Sequence, residues 1–154
     1  MQGFSPLSET VKTDKAQAEL SATTEVEIHF YDVDSVQIVW HGNYVKYLEN
    51  GREEFGRKFG LRYLDFFDNG YIIPIVDMHI RYMTPALYEQ TLVVETRYVP
   101  CRGAKLMYEY IIRRKSDMAV VAEASTTQLF MTKDGVFEAS APDFYRRWRE
   151  KWGV

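Results

Sequence analysis

One long amphipathic helix followed by a series of strand-like runs is the feature that most constrains the fold of this 154-residue chain. Apolar side chains recur at spacings of three and four over residues 43–60, which predicts a helix. Gly60 is a natural stop, because glycine readily adopts the left-handed conformation that ends helices. The apolar face of the predicted helix carries Tyr44, Tyr47, Leu48, Gly51, Phe55 and Phe59.

Strand-like runs follow the helix at residues 72–83, 91–99, 105–114 and 119–132, and turn signals separate them. This order favours long antiparallel hairpins. A helix about 25 Å long matches a strand of about eight residues, so a curled antiparallel sheet can wrap one long central helix. Gly51 costs about 1 kcal/mol relative to alanine in a helix interior, and close approach of the sheet would explain it. The predicted fold class is α+β.

The two ends of the chain differ in character. Residues 1–23 show little apolar periodicity and are interpreted as an N-terminal extension. Residues 24–31 alternate and predict the first strand, with Val26, Ile28 and Phe30 on its buried face. A short helix is predicted at residues 142–152, so residues 24–154 are expected to form one domain.

Composition and missing motifs exclude several classes of function. A net charge of −3 argues against a nucleic-acid partner. The lone Cys101 offers no disulfide framework, so a cytoplasmic location is expected. No run approaches the 18 or so apolar residues of a membrane span. The three histidines are scattered, so no metal site is predicted. The sequence contains neither a glycine-rich phosphate loop nor a G-x-S-x-G motif, which argues against a nucleotide cofactor and against the usual serine-hydrolase mechanism.

An acidic loop before the helix carries the candidate chemistry. Residues 30–44 contain Asp32 and Asp34, then an apolar run, then Asn43, whose side chain is predicted to cap the helix. A carboxylate beside a helix amino end suits acyl transfer, because N–H groups there stabilise charge that develops on a carbonyl oxygen. On loop position alone, Asp34 is better explained as a turn residue that bonds its own backbone.

The same segment resembles the 4-hydroxybenzoyl-CoA thioesterase family of hotdog-fold acyl-CoA thioesterases, over residues 24–140. The resemblance implies a hotdog fold and hydrolysis of an acyl-CoA to a carboxylate and CoA, with no cofactor beyond the CoA of the substrate. It also implies a homodimer or a dimer of dimers, with sites at subunit junctions. The matching residues are Tyr31, Asp32, Val33, Asp34, Ile38, Val39, Trp40, His41, Asn43 and Tyr44, with Glu49 and Arg52 on the helix.

The resemblance assigns catalysis to Asp34, either as a nucleophile on the thioester carbonyl or as a general base on water. It also implies that a backbone N–H at or beside His41 holds the thioester oxygen, and that Gly42 permits close approach. The His41 imidazole could transfer protons near neutral pH or only order the loop. Glu49 is a rival carboxylate, since another branch of hotdog thioesterases places one on the central helix. Asp32 is expected to be structural.

Substrate contacts are predicted at two places. The first place is the start of the helix. The second is a cluster of basic residues on the strands, which could contact the phosphates of CoA or could simply be a strand face exposed to solvent. The residues concerned are Gly42, Asn43 and Tyr44, and then Arg97, Arg102 and Lys105. Gln37 stands where many relatives have glycine, so it must accept a positive φ or change the turn.

Two other functions fit the same fold. A non-catalytic module could bind an acyl group or an acyl carrier protein in the same cleft. A hotdog dehydratase ranks last, because the histidine-containing, proline-rich loop expected for that chemistry is not visible. The acyl length, the choice between CoA and a carrier protein, and the choice between dimer and tetramer all stay open.

Overall fold

A computed structural model describes residues 19–154 of the protein. Most of the predicted N-terminal extension therefore lies outside the described residues. The described chain enters the sheet at Ser21, three residues before the predicted start of the first strand, and Leu20 is already buried. None of the helices in this part of the chain is long and apolar enough to cross a membrane.

Five strands form an antiparallel sheet, which confirms the predicted α+β plan. The strands are β1 (Ser21–Glu27), β3 (Ile75–Tyr82), β4 (Thr91–Val99), β5 (Lys105–Arg114) and β6 (Val120–Leu129), and a separate short strand, β2 (Tyr71–Ile72), pairs with β7 (Met131–Thr132). The order across the five-stranded sheet is β1-β4-β5-β6-β3. Strands β4 and β5 span the predicted residues without a shift, whereas the last predicted run is divided between β6 and β7.

Alternation along the strands gives the sheet one apolar face. Val94 of β4 lies opposite Ile112 of β5, which in turn lies opposite Ala122 of β6, and all three side chains are buried. The intervening residues of β4, including Glu95 and Arg97, point to the outer face. Successive side chains of a strand leave on opposite sides, so this pattern fixes which face receives the helix.

The predicted central helix is confirmed as α1 (Tyr44–Phe59), and Gly60 ends it with a φ of 77°. The helix packs on the inner face of β1 and β4. Gly51 lies at the closest approach, because a Cβ built there would stand 2.3 Å from Oγ1 of Thr96 and 3.0 Å from Cγ1 of Val94. The absent side chain therefore lets the helix sit directly on the sheet.

The segment after β1 departs from the prediction. β1 ends at Glu27, and residues Phe30–Asp32 form a 3₁₀ turn rather than the end of the strand. The prediction that Phe30 is buried is wrong, since its side chain is 76% exposed. The physical reason is the Asp32 carboxylate, which accepts a hydrogen bond from the His29 backbone N–H at 2.8 Å and turns the chain out of the sheet.

Two short helices complete the domain. The segment after α1 contains α2 (Tyr63–Asp68), and the predicted terminal helix is confirmed as α3 (Asp143–Trp152). Trp148 of α3 donates its indole N–H to the Phe59 carbonyl at 2.7 Å. The hydroxyls of Tyr145 and Tyr98 lie 2.6 Å apart, so α3 is joined by polar contacts to both α1 and β4.

The close approach at Gly51 predicts the effect of Gly51→Ala. Alanine favours the helix by about 1 kcal/mol, but its methyl group would overlap the buried Thr96, and such overpacking costs about 1–3 kcal/mol. We expect a net loss of up to about 2 kcal/mol in the free energy of unfolding, measured by urea denaturation.

Two further variants isolate the cause. Asn50→Ala, at the exposed neighbouring position, should be neutral or slightly stabilising. Adding Thr96→Ala to Gly51→Ala should recover much of the loss, because it removes the overlapping oxygen. Equal stability of Gly51→Ala and the natural protein would contradict the proposed contact.

Candidate active site

The acidic loop folds into a tight hairpin ahead of α1. Val33 pairs with Val39, the Asp34 N–H donates to the Ile38 carbonyl, and the Gln37 N–H donates to the Asp34 carbonyl, both at 2.9 Å. Gln37 has a φ of 66°, so it occupies the left-handed position that glycine usually takes in such a turn. The turn geometry is thus kept and Gln37 adopts the positive φ.

Asp34 lies at the tip of this hairpin and is half-buried. Its Oδ1 accepts a hydrogen bond from the Val36 backbone N–H at 2.9 Å, which is the local bond expected of a turn aspartate. Its Oδ2 makes no hydrogen bond with residues 19–154. The carboxylate is therefore held in one orientation with one oxygen left available.

Asp32 ties the hairpin to the helix entrance and is 5% exposed. Its backbone carbonyl accepts the Trp40 N–H at 3.0 Å and the Asn43 side-chain amide at 2.7 Å. The predicted side-chain cap by Asn43 is therefore wrong. Asn43 has helical backbone angles and makes no capping bond, because a 3₁₀ turn over His41–Asn43 already precedes α1 and its amide is used by Asp32.

The helix entrance lies beneath two aromatic side chains. A Cβ on Gly42 would stand 2.3 Å from Cζ3 of Trp40, so the indole ring rests on this glycine. Tyr82 donates its hydroxyl to the His41 carbonyl at 2.7 Å, while the His41 side chain is exposed. Sequence reasoning missed Tyr82, which is 41 residues from His41 and has no local signal. Together Trp40 and Tyr82 fix the backbone at the predicted oxyanion position.

The hairpin also sets the separation of the predicted catalytic groups. Asp34 lies level with Ile38, and His41 is three extended residues further on, about 10 Å along the chain. An aspartate side chain, a thioester carbonyl and an N–H donor together span a distance of this order. The backbone of the hairpin therefore keeps Asp34 and His41 on neighbouring parts of the chain.

Tyr44 and Tyr47 fill the space below the entrance. Both are buried, and burial raises the pKa of Tyr44 to about 12. Burial also raises the pKa of Tyr47, with a further contribution from the negative charge of Asp32. These phenols are neutral at physiological pH. Because the side chains of Asn43 and Tyr44 are packed inside the fold, any contact they make with a substrate comes from their backbone.

A cavity of about 770 Å³ runs along the open face of α1. It reaches Val45, one helical turn from His41, although its lining does not include Asp34 or His41. Glu49, the rival carboxylate, does line it. The other charged lining residues are Arg52, Glu53, Arg57 and Arg62, and apolar walls are formed by Leu61, Leu64, Phe66, Ile73, Ile75 and Leu106. An apolar group of substantial size can therefore lie beside the helix.

The predicted basic cluster lies elsewhere on the chain. Arg97 pairs with Ser21, the first residue of β1, whereas the hairpin follows the last residue of that strand, about 20 Å away. Arg102 and Lys105 are exposed near the same distant end. One chain does not bring these three residues to the hairpin.

Arg97 is also engaged on the outer face. Its Nε donates to Glu95 at 2.9 Å, and Arg113 donates to the other carboxylate oxygen at 2.9 Å. These two guanidinium groups hold the pKa of Glu95 below its ordinary value. No group of three or more His, Cys, Asp and Glu side chains that could hold a metal ion occurs among residues 19–154.

Comparison with known proteins places the chain in one family. The sequence profile of the thioesterase-like superfamily matches residues 17–148. YneP of Bacillus subtilis (strain 168), a proposed acyl-CoA thioesterase, is 29% identical over 125 residues, which cover 79% of this chain and 90% of the relative. The match therefore spans the hairpin, α1 and the sheet.

Solved structures share the same architecture. The DHNA-CoA thioesterase of Staphylococcus aureus superposes with a TM-score of 0.76 at 25% identity, covering 84% of this chain and 87% of that one. The 4-hydroxybenzoyl-CoA thioesterase of Pseudomonas sp. strain CBS-3 gives a TM-score of 0.73 at 26% identity, covering 83% and 98%. The hotdog arrangement predicted from the sequence is thus confirmed.

The left-handed residue in the hairpin predicts a stabilising change, Gln37→Gly. A non-glycine residue in this conformation costs about 1–2 kcal/mol, and the greater freedom of glycine in the unfolded chain offsets about 0.4–1 kcal/mol of the gain. We expect roughly 0.5–1 kcal/mol of added stability, seen as a raised Tm. Gln37→Ala removes the same side chain without relieving φ, and should give no gain. An equal gain from both variants would show that φ is not the cause.

The Glu95 ion pairs predict a pH-dependent contribution to stability. Because the pKa of Glu95 is lower in the folded protein, its contribution is present above the ordinary value of 4.5 and is lost as pH falls through the folded pKa. Glu95→Gln should cost about 1 kcal/mol at neutral pH in low salt. Urea unfolding of both proteins should show this difference shrinking well below pH 4.5. A difference that stays constant with pH would exclude the ion pairs as its source.

Proposed function

The chain belongs to the thioesterase-like superfamily, and from this membership and the cavity along α1 we infer that it hydrolyses the thioester bond of acyl-CoA substrates. Its relative in Bacillus subtilis carries a proposed acyl-CoA thioesterase function, and two similar solved structures are CoA thioesterases. The single observation that carries the proposal is the position of the cavity. It begins one turn from the helix entrance and offers apolar walls for an acyl group.

We assign the catalytic carboxylate to Asp34. The bond from the Val36 N–H orients it, and its second oxygen is available to a reactant. In one route, this oxygen attacks the carbonyl carbon, the C–S bond breaks, CoA leaves as its thiol, and water hydrolyses the resulting anhydride. In the other, the carboxylate takes a proton from the water that attacks the carbonyl, the C–S bond breaks, and CoA leaves with a proton supplied to its sulfur. Both routes yield a carboxylate and CoA.

The thioester oxygen is proposed to bind a backbone N–H at His41 or Gly42. Donors at this position precede α1, so the helix dipole supports the negative charge that develops on the oxygen. Tyr82 and Trp40 hold the local backbone, which keeps the donors in place before the substrate arrives. The His41 imidazole is exposed beside them and is proposed to deliver a proton to the departing sulfur.

We also propose that the active protein is a homodimer or a dimer of dimers. Strand β3 is an edge of the sheet, and it exposes large apolar side chains such as Val76 and Tyr82. An unpaired apolar edge favours association with a second copy. An antiparallel partner would bring its Arg102 and Lys105 toward this hairpin, so these basic residues are proposed to contact CoA phosphates across the junction.

The decisive experiment measures thiol release from short, long and aromatic acyl-CoAs by the natural protein and by Asp34→Asn. The substitution keeps the Val36 bond, since an amide oxygen also accepts, but removes the charge. We expect kcat to fall by about 10²–10⁴-fold. Asp134→Asn, at an exposed position in the turn after β7, is the matched control and should retain full activity.

Glu49→Gln distinguishes the two carboxylates. Activity that survives Asp34→Asn but is lost in Glu49→Gln would transfer the catalytic role to Glu49, which lines the cavity. If no thioester of the panel is hydrolysed but the intact thioesters bind, the protein is a non-catalytic acyl-binding module and the proposed hydrolase activity is refuted.

A further inference from the structure

One arginine on the wall of the cavity along α1 has no carboxylate partner within the described chain. Of the three arginines that line the cavity, Arg57 pairs with Glu54 and Arg62 pairs with Asp65. Arg52 forms no ion pair with any of residues 19–154. Its guanidinium group therefore carries a positive charge that no neighbouring side chain in this part of the chain neutralises.

The Arg52 side chain turns inward, toward the sheet. Its Nη1 donates to the Tyr110 hydroxyl at 3.2 Å, and that hydroxyl lies 2.7 Å from Oγ1 of Thr126. A guanidinium group has five N–H donors, and within residues 19–154 this is the one hydrogen bond that Arg52 donates. The side chain is half-buried and lines the cavity, so its other donors are available to a group that enters there.

Two glutamates of α1, Glu49 and Glu53, also line the cavity. Both are exposed, whereas Arg52 is half-buried beside the sheet. Charges at exposed positions are screened by water and salt, so they act weakly at the inner wall. A group that lies against the sheet is therefore affected mainly by the positive charge of Arg52.

An acyl chain that fills the cavity changes the surroundings of Arg52. Such a chain lies against the sheet wall, which includes Ile75, Leu106 and Gln128, and displaces water from the guanidinium group. A chain that ends in a methyl group offers no acceptor in exchange, which leaves the desolvated charge unpaired. A chain that ends in a carboxylate replaces the lost water, because arginine binds a carboxylate through two parallel N–H···O bonds.

We propose that Arg52 determines substrate specificity by binding a carboxylate at the far end of the acyl group, an inference that rests on the proposed thioesterase function. The preferred substrates are therefore CoA thioesters of dicarboxylic acids. Arg52 lies eight residues after Tyr44, the first residue of α1, which is about 12 Å along the helix. Its side chain leans back toward the amino end, where the thioester is proposed to bind. Acyl groups of medium length fit this span, whereas a succinyl group is too short.

The first test compares matched pairs of CoA thioesters on the natural protein. Butyryl-, hexanoyl-, octanoyl- and decanoyl-CoA are measured against succinyl-, adipoyl-, suberoyl- and sebacoyl-CoA. We expect kcat/KM to be about 10- to 100-fold higher for the dicarboxylic member of at least one of the longer pairs. Equal values in all the longer pairs, or the largest preference in the succinyl pair, would overturn the proposal.

Two variants assign the preference to this residue. Arg52→Met keeps a long side chain without its charge, so kcat/KM for the preferred dicarboxylic substrate should fall about 10- to 100-fold. Its monocarboxylic counterpart should be hydrolysed at least as well as before, because no guanidinium group is desolvated. Arg57→Met removes a cavity arginine that is already paired with Glu54, and should keep the preference. A preference that survives in Arg52→Met, or an equal loss for both members of the pair, would overturn the assignment.

Binding separates this inference from the proposed function. Non-hydrolysable thioether analogues, with an alkyl or a carboxyalkyl chain on the CoA sulfur, are titrated by calorimetry into the natural protein and into Arg52→Met. Tighter binding of the carboxyalkyl analogue by the natural protein alone, without turnover of any thioester, would support the role of Arg52 and refute the hydrolase. Equal binding of the two analogues by the natural protein, alongside normal turnover, would refute the role of Arg52 alone.

Discussion

The contact of α1 with the sheet at Gly51 is the constraint on which the rest of the structure depends. With no side chain there, the helix lies directly on Thr96 and Val94, and its position relative to β1 and β4 is set. That position places the amino end of the helix beside the acidic hairpin. It also leaves the opposite side of the helix facing a cavity instead of a filled core. One close approach therefore positions both the helix entrance beside the hairpin and the cavity along α1.

The two aspartates of the hairpin have divided roles. Asp32 is buried and its hydrogen bonds join the 3₁₀ turn, the hairpin and the helix entrance. Asp34 uses one oxygen for the turn, and the other makes no hydrogen bond with residues 19–154. A charged group that holds structure cannot easily change its partners during a reaction, whereas a half-satisfied carboxylate can. This difference is the physical reason to place the chemistry on Asp34.

The arginines that line the cavity are engaged by groups outside its lining. Arg57 pairs with Glu54 and Arg62 with Asp65, while Arg52 reaches the Tyr110 hydroxyl. The pKa of Asp65 is lowered by its bonds to Arg62. These pairs border a space whose walls are mainly apolar. The lining of the cavity thus combines charged residues, most of them on α1, with apolar residues of α2 and the sheet and with the amide of Gln128.

The sequence by itself determined the fold class, the bounds of α1, β4 and β5, and the segment that carries the candidate chemistry. The periodicity of apolar residues predicts these features from short stretches of sequence. Gly51 and Gln37 also agree with their predictions, because close approach of the sheet to a helix and a positive φ both depend on the type of residue at one position. Tertiary structure alone decided that Phe30 is exposed, that Asn43 bonds Asp32 instead of capping, and that Tyr82 holds the His41 carbonyl. It also decided that Arg97 lies far from the hairpin and that Gln128 faces the cavity. Each of these depends on which residues meet across the fold, and the spacing of residues along a single chain does not contain that information.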